Sequence, residues 1–308
     1  MLKSLPNQIV SMIMALWICS AVTWNYSKAD EVRSETYPAP ELLIELDQLA
    51  KEISSPKLVL LDARENAEYA KGHLPGAVWV DAAAWGKAVT VDTEAEPWTK
   101  RFAELGIDKD SVVVIYDNQR QRNAARVWWI LKLWGVSNAK LLNGGWTSQT
   151  EGESLPKQDA SVSPRRGNIV AQRETKAIAT KVELLEGLKT PGKGLQLVDT
   201  RSKEEHCGTN EARTKNKGTI PGSKHLEWSD LLVPETARFR PPAEIAKLFN
   251  DAGIDVQKPS ATYCQGGGRA SVTAFVLALM GSPEARNYYP GWGEWGNDET
   301  APFETPSP

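Results

Sequence analysis

The feature that most constrains the fold is that the chain repeats itself. Leu60-Leu61-Asp62-Ala63-Arg64 returns 137 residues later as Leu197-Val198-Asp199-Thr200-Arg201. Gly72-His73-Leu74-Pro75-Gly76 returns after 146 as Gly218-Thr219-Ile220-Pro221-Gly222, and Gly145-Trp146 returns after 146 as Gly291-Trp292. Gly106-Ile107-Asp108 returns after 147 as Gly253-Ile254-Asp255. Ordered echoes over this length imply two homologous domains, each large enough for its own core, in a chain of 308 residues. The step from 137 to 146 places a nine-residue insertion between Asp199 and Pro221 of the second copy. It falls in the polar run Cys207 to Lys217, which reads as a surface loop.

Within each copy, strand and helix signals alternate. Lys57 to Leu61 and Ser111 to Tyr116 are short runs of Val, Leu and Ile, the pattern of parallel strands buried on both faces. Trp98 to Leu105 and Ala124 to Trp134 carry helical apolar spacing. The second copy matches, with strands at Leu195 to Val198 and Ala261 to Tyr263 and helices at Pro242 to Ala252 and Ala270 to Met280. The fold class is therefore α/β, two doubly wound, mainly parallel sheets flanked by helices. In such sheets ligands bind beyond the carboxyl ends of the strands, where Asp62, Asp117, Asp199 and Cys264 fall. The stretch Glu151 to Gly167, rich in Ser, Pro and charge, marks a linker at about 153–170. It separates a first domain at 30–152 from a second at 171–308.

Residues 1–29 read as a secretory signal. Lys3 supplies the positive start, Ile9 to Val22 is almost wholly apolar, and Ser27-Lys28-Ala29 offers small residues for cleavage. The expectation is an exported, periplasmic protein with no membrane span after cleavage. Cleavage removes Cys19 and leaves Cys207 and Cys264, too few for a disulfide framework, though the two could pair with each other. A formal charge of −3 provides no basic field for nucleic acid. His73, His206 and His225 are scattered without ligand spacing, so neither a metal site nor a cofactor is expected. Twelve tryptophans are either buried anchors or the lining of a site.

The sharpest chemical signal is Ala261-Thr262-Tyr263-Cys264-Gln265-Gly266-Gly267-Gly268-Arg269-Ala270-Ser271. A cysteine ends a buried strand, three glycines follow, and a helix begins near Ala270. Glycines let the backbone turn tightly and aim successive N–H groups inward. The helix N-terminus adds partial positive charge and Arg269 a full one. Such a field favours a nucleophilic sulfur at Cys264 and holds an anionic substrate or a persulfide. Cys207 is either an idle loop cysteine or a resolving thiol for Cys264.

Cys264-Gln265-Gly266-Gly267-Gly268-Arg269 resembles the C-x-x-G-x-R active-site loop of the rhodanese family. The Asp-x-Arg pairs, the Gly-x-x-Pro-Gly elements and the tandem layout resemble its thiosulfate and 3-mercaptopyruvate sulfurtransferases, from about Leu42 to Trp295. The resemblance implies two rhodanese-like domains, the first inactive and the second catalytic. It implies that Cys264 takes a sulfane sulfur as a persulfide and passes it to a thiophilic acceptor such as cyanide or a thiol, with a protein acceptor as a further option. It assigns substrate contacts to Gln265, Gly266, Gly267, Gly268, Arg269 and Arg201. An offset of 147 pairs Cys264 with Asp117, which cannot carry a persulfide, and pairs Arg269 with Arg122. Arg120 and Arg122 either reach a substrate across the interface or are solvated loop residues.

Departures from the pattern bear on substrate. The basic loop residues of the mitochondrial thiosulfate enzymes are Gln265 and Gly266 here, and Glu205 stands where a second pocket arginine is expected. Weak turnover of small donors, with a bulkier or protein-borne true donor, is the resulting expectation. Arg201 has a second reading as a strand-end ion pair with Asp199. Three rivals remain: a cysteine phosphatase, a persulfide carrier without turnover, and a purely structural tandem module. In a phosphatase loop the arginine follows the cysteine by six positions, whereas Arg269 follows Cys264 by five.

Overall fold

The computed structural model describes residues 36–150, 155–190, 192–210 and 214–307. The apolar N-terminal run, its cleavage site and Cys19 lie outside the described residues.

The repeat folds into two parallel sheets. The first has five strands in the order β1 (Leu43–Ile44), β5 (Ala139–Leu142), β4 (Val112–Tyr116), β2 (Leu58–Asp62), β3 (Val78–Trp79). The second has four, ordered β7 (Lys224–His225), β6 (Gln196–Asp199), β8 (Ser260–Tyr263), β9 (Ala285–Asn287). Register is equivalent in the two copies: Leu61 faces Ile115, and Val198 faces Thr262. A lone parallel bridge between Ile178 and Asn287 stands where β1 lies in the first copy. The central strands are buried along almost their whole length, as their apolar runs require.

Each Asp-x-Arg motif ties its strand end to its Gly-x-x-Pro-Gly turn. Arg64 Nη2 donates to Asp62 Oδ2 at 2.6 Å and to the Gly72 carbonyl at 2.8 Å. Arg201 Nη2 donates to Asp199 Oδ2 at 2.6 Å and to the Gly218 carbonyl at 2.7 Å. A tyrosine on the central strand completes each clasp: the Leu74 and Ile220 N–H groups donate to Tyr116 Oη and Tyr263 Oη at 3.1 and 3.2 Å. Both turns open on a glycine at positive φ, +137° at Gly72 and +114° at Gly218, where any side chain is strained.

The two domains share one core. The helix Arg122–Leu133 packs along the helix Gly268–Leu279, and Trp128 meets Phe275 edge-on at 4.9 Å. Trp129 stacks on Tyr289 at 4.7 Å and donates its Nε1–H to the Ala177 carbonyl at 2.8 Å. Trp98, Trp129, Trp134 and Trp295 are fully buried, so much of the tryptophan content is packing.

One feature adds to the sequence reading and one differs from it. The stretch read as a linker lies along the first domain, exchanging backbone hydrogen bonds between Gln158 and His73 and donating from Gly167 to Ala103 and from Ile169 to Ile107. Its polar side chains face water while its backbone is paired, which composition alone cannot reveal. Cys207 is not on an exposed loop: it ends the helix Lys203–Cys207, is buried, and places Sγ 3.7 Å from the Ser307 carbonyl. The exposed part of the insertion among the described residues includes Lys215 and Lys217.

Because the core crosses the domain boundary, unfolding should be one cooperative transition. Phe275→Ala should cost about 3–5 kcal/mol and lower that single transition as a whole. Calorimetry showing two separated transitions, only one of them shifted, would contradict the shared core.

Candidate active site

The Cys264–Arg269 loop connects β8 to the helix Gly268–Leu279 at the carboxyl end of the sheet. The Trp292 N–H donates to the Cys264 carbonyl at 2.7 Å and the Gly293 N–H to the Gln265 carbonyl at 2.9 Å. Ser271 Oγ and Asn287 Nδ2 both donate to the Gly267 carbonyl, at 2.9 and 3.0 Å. Gly267 has φ +75°, and a Cβ there would run into the Tyr289 ring. A Cβ on Gly268 would collide with the Arg126 guanidinium. Gly267 is thus required both by backbone shape and by a close aromatic neighbour.

The first copy shows what this loop geometry is for. Asp117, at the position of Cys264, is buried and accepts hydrogen bonds from four backbone N–H groups: Gln119 and Gln121 at 3.0 Å, Asn123 at 2.7 Å and Ala124 at 2.9 Å. Burial pushes its carboxyl up, opposed by those four N–H groups. The Trp146 N–H donates to the Asp117 carbonyl at 2.7 Å, as Trp292 does to Cys264. Arg120 and Gln121 hold φ of 55° and 65° although neither is glycine. The left-handed turn therefore persists without glycine, at a cost of about 1–2 kcal/mol per residue. An internal carboxylate fills the anion cradle.

Cys264 is 2% exposed. Beside it opens a cavity of about 470 Å³ walled by Gln265, Arg269, Arg201, Ser202, Glu205, Trp292 and Arg122, and by Asn210, Thr214, Lys217 and Gly218 from the insertion and the turn. The structure thus gathers Cys264, Gln265, Gly266, Gly267, Gly268 and Arg269 into one loop and brings Arg201 to the same cavity. Arg201 is nevertheless only 2% exposed, with Nε and Nη2 both committed to Asp199 and Nη2 also to Gly218. Its principal contacts are those of the strand-end ion pair, and it also walls the cavity. Asp199 also meets His206 Nδ1 at 3.1 Å. Burial would raise the Asp199 carboxyl, but His206 and Arg201 outweigh it and hold it well below the carboxylate range.

Glu205 is the residue whose role the sequence did not disclose. Its carboxylate takes Arg269 Nη1 at 2.5 Å and Nη2 at 2.9 Å, and its Oε2 also caps the Ser202 N–H at 3.1 Å. Burial opposes charge on Arg269, but Glu205 and then Cys264 more than compensate and raise its pKa. Arg269 therefore faces the cavity as half of an ion pair. Arg126 was also missed: it packs on Gly268 from the first domain. Burial raises the Tyr289 phenol, Arg126 pulls it down, and Cys264 adds to the rise, which puts all three within one electrostatic neighbourhood. Among the described residues no group of three or more His, Cys, Asp or Glu side chains converges to hold a metal.

A profile of the Rhodanese-like domain matches residues 45–151 and again 180–298. The chain belongs to the rhodanese family. It is 35% identical over 296 residues to a thiosulfate sulfurtransferase of Corynebacterium glutamicum, covering 88% of this chain and 93% of that one. It is 32% identical over 277 residues to the sulfur carrier protein TtuD of Thermus thermophilus, covering 85% and 95%. The solved structure of SseA from Escherichia coli, described as a 3-mercaptopyruvate sulfotransferase, superposes with a TM-score of 0.70 at 25% identity, covering 82% of this chain and 98% of that one.

The Asp199 clasp yields a stability prediction with a definite sign. A carboxyl depressed in the folded state stabilises above its unfolded pKa of about 3.9, and that contribution disappears as pH falls through the lower folded value. Asp199→Asn, which strands buried Arg201, should cost about 3–5 kcal/mol at neutral pH. The gap from wild type should narrow on acidification below pH ~4. Urea titrations at several pH values test this, and a pH-independent gap would refute it.

Proposed function

We propose that the chain is a sulfurtransferase in which Cys264 carries the sulfur as a persulfide. The observation that carries this reading is the equivalence of Asp117 and Cys264. One copy sets a carboxylate against four backbone N–H groups, and the other places a sulfur at the matching strand end beside Arg269. The Cys264 thiolate attacks the outer sulfur of a donor such as thiosulfate, forming an S–S bond while sulfite departs with the electrons of the bond that breaks. The persulfide's terminal sulfur bears the negative charge, which the loop amides and Arg269 stabilise. An acceptor nucleophile, cyanide or a thiol, then attacks that outer sulfur and returns Cys264 as thiolate. Gln265, Gly266, Gly267 and Gly268 shape the cradle, and Arg269 is the loop's own cation.

Glu205 supports a donor that tolerates reduced positive charge, because it is paired with Arg269. Small dianions should therefore bind weakly through this domain's loop alone. The residue types of 1–29 support export to the periplasm, with a mature chain beginning near Asp30. Arrival of the sulfur on a protein acceptor there is compatible with the same site.

Cys264→Ser should abolish thiosulfate-to-cyanide turnover, while Cys207→Ser should retain it, because the Cys207 sulfur meets the Ser307 carbonyl and does not line the cavity. Near-normal activity in Cys264→Ser would overturn the assignment, since a hydroxyl carries no sulfane sulfur. Terminal sequencing of the exported protein should start near Asp30; a soluble cytoplasmic protein retaining Met1 would refute export.

A further inference from the structure

We propose that Arg122, on the first domain, forms the anion-recognition side of the substrate cavity, with Arg126 of the same helix adding positive charge behind the Cys264 loop, so that the donor is held between the domains. This rests on the sulfurtransferase reading above. The cavity's second-domain arginines are each engaged: Arg201 with Asp199, and Arg269 with Glu205. Arg122 walls the same cavity from the first domain and has no carboxylate partner among the described residues. Its Nη2 reaches only Gln119 Oε1, at 3.3 Å, and its Nε is buried without any hydrogen-bond partner. A buried guanidinium donor left open is costly unless an acceptor arrives, and an anionic donor supplies one.

Arg126 lies four residues further along the Arg122–Leu133 helix, hence on the same face. Its guanidinium rests against Gly268 of the Cys264 loop and beside the Tyr289 hydroxyl, its Nη1 meets Asn123 Oδ1 at 3.5 Å, and its Nε is likewise buried without a hydrogen-bond partner. The amides at the head of this helix are already taken by Asp117, so the attraction comes from the side chains and not from the helix end. The helix itself is fixed by Trp128 against Phe275 and Trp129 against Tyr289, so the two guanidinium groups are carried on a rigid element. Position 205 holds a glutamate that cancels a charge in the second domain, and the first domain restores positive charge from across the cleft. The ligand class is a compact sulfur-bearing anion with a sulfonate-like or carboxylate end.

Steady-state kinetics with thiosulfate as donor and cyanide as acceptor separate the possibilities. Arg122→Ala should raise the thiosulfate KM about tenfold or more, the usual effect of losing a charge-assisted hydrogen bond, with kcat and the cyanide KM little changed. Arg126→Ala should act in the same direction, and Arg122→Lys, which keeps the charge without the fork, should recover part of the loss. Inhibition by sulfite should weaken in parallel, measured on protein whose melting temperature matches wild type. If Arg122→Ala does not fold, Arg122→Lys alone carries the test, with a raised KM expected. An unchanged KM in the folded variants, or a fall in kcat alone, would overturn the proposal. Wild type that neither turns over nor loads sulfur would instead defeat the underlying reading.

Discussion

The structure depends on one constraint: the turn between each central strand and the helix that follows it has a place for one electron-rich side chain. In the first copy the Asp117 carboxylate fills it permanently, through four hydrogen bonds of 2.7–3.0 Å. In the second copy the same place belongs to Cys264, on a loop clasped by the same tryptophan N–H contact. A filled cradle is inert, whereas one holding a single polarisable sulfur is able to exchange it. Duplication thus separates a rigid, satisfied domain from a reactive one while keeping the strand-to-helix connection and a left-handed residue at Arg120 and at Gly267.

Everything around the loop serves to fix that point. The Asp–Arg clasps join strand ends to the glycine turns in both copies and hold the floor of the cleft. The helix pair that crosses the domain boundary makes the first domain a wall of the second domain's cavity. Charge is distributed accordingly. Glu205 lowers the net charge of the catalytic side, and Arg122 and Arg126 add it back from the other side. Affinity for anions is in this way tied to correct docking of the two domains.

Local signals in the sequence carried the fold and the loop. The repeat offsets, the buried strand runs and the glycines after Cys264 are all short-range features whose physics is complete within a few residues. What escaped was long-range. Nothing near Glu205 announces that it meets Arg269, 64 residues away. Arg126 reaches Gly268 only because two helices pack face to face, and its spacing from Arg122 was the one available hint. Arg201 was ambiguous for a physical reason, since a guanidinium beside a buried aspartate serves equally well as a clasp or a ligand until its hydrogen bonds are seen. The linker's course along the first domain was hidden because polar side chains conceal a paired backbone.

The most direct test of the central claim is intact-mass and peptide-mapping analysis of the purified protein after brief exposure to thiosulfate, then to cyanide. The account predicts a gain of one sulfur atom, confined to the peptide bearing Cys264, absent from that bearing Cys207, and reversed by cyanide. Sulfur found on Cys207 instead, or no added sulfur while turnover proceeds, would contradict it.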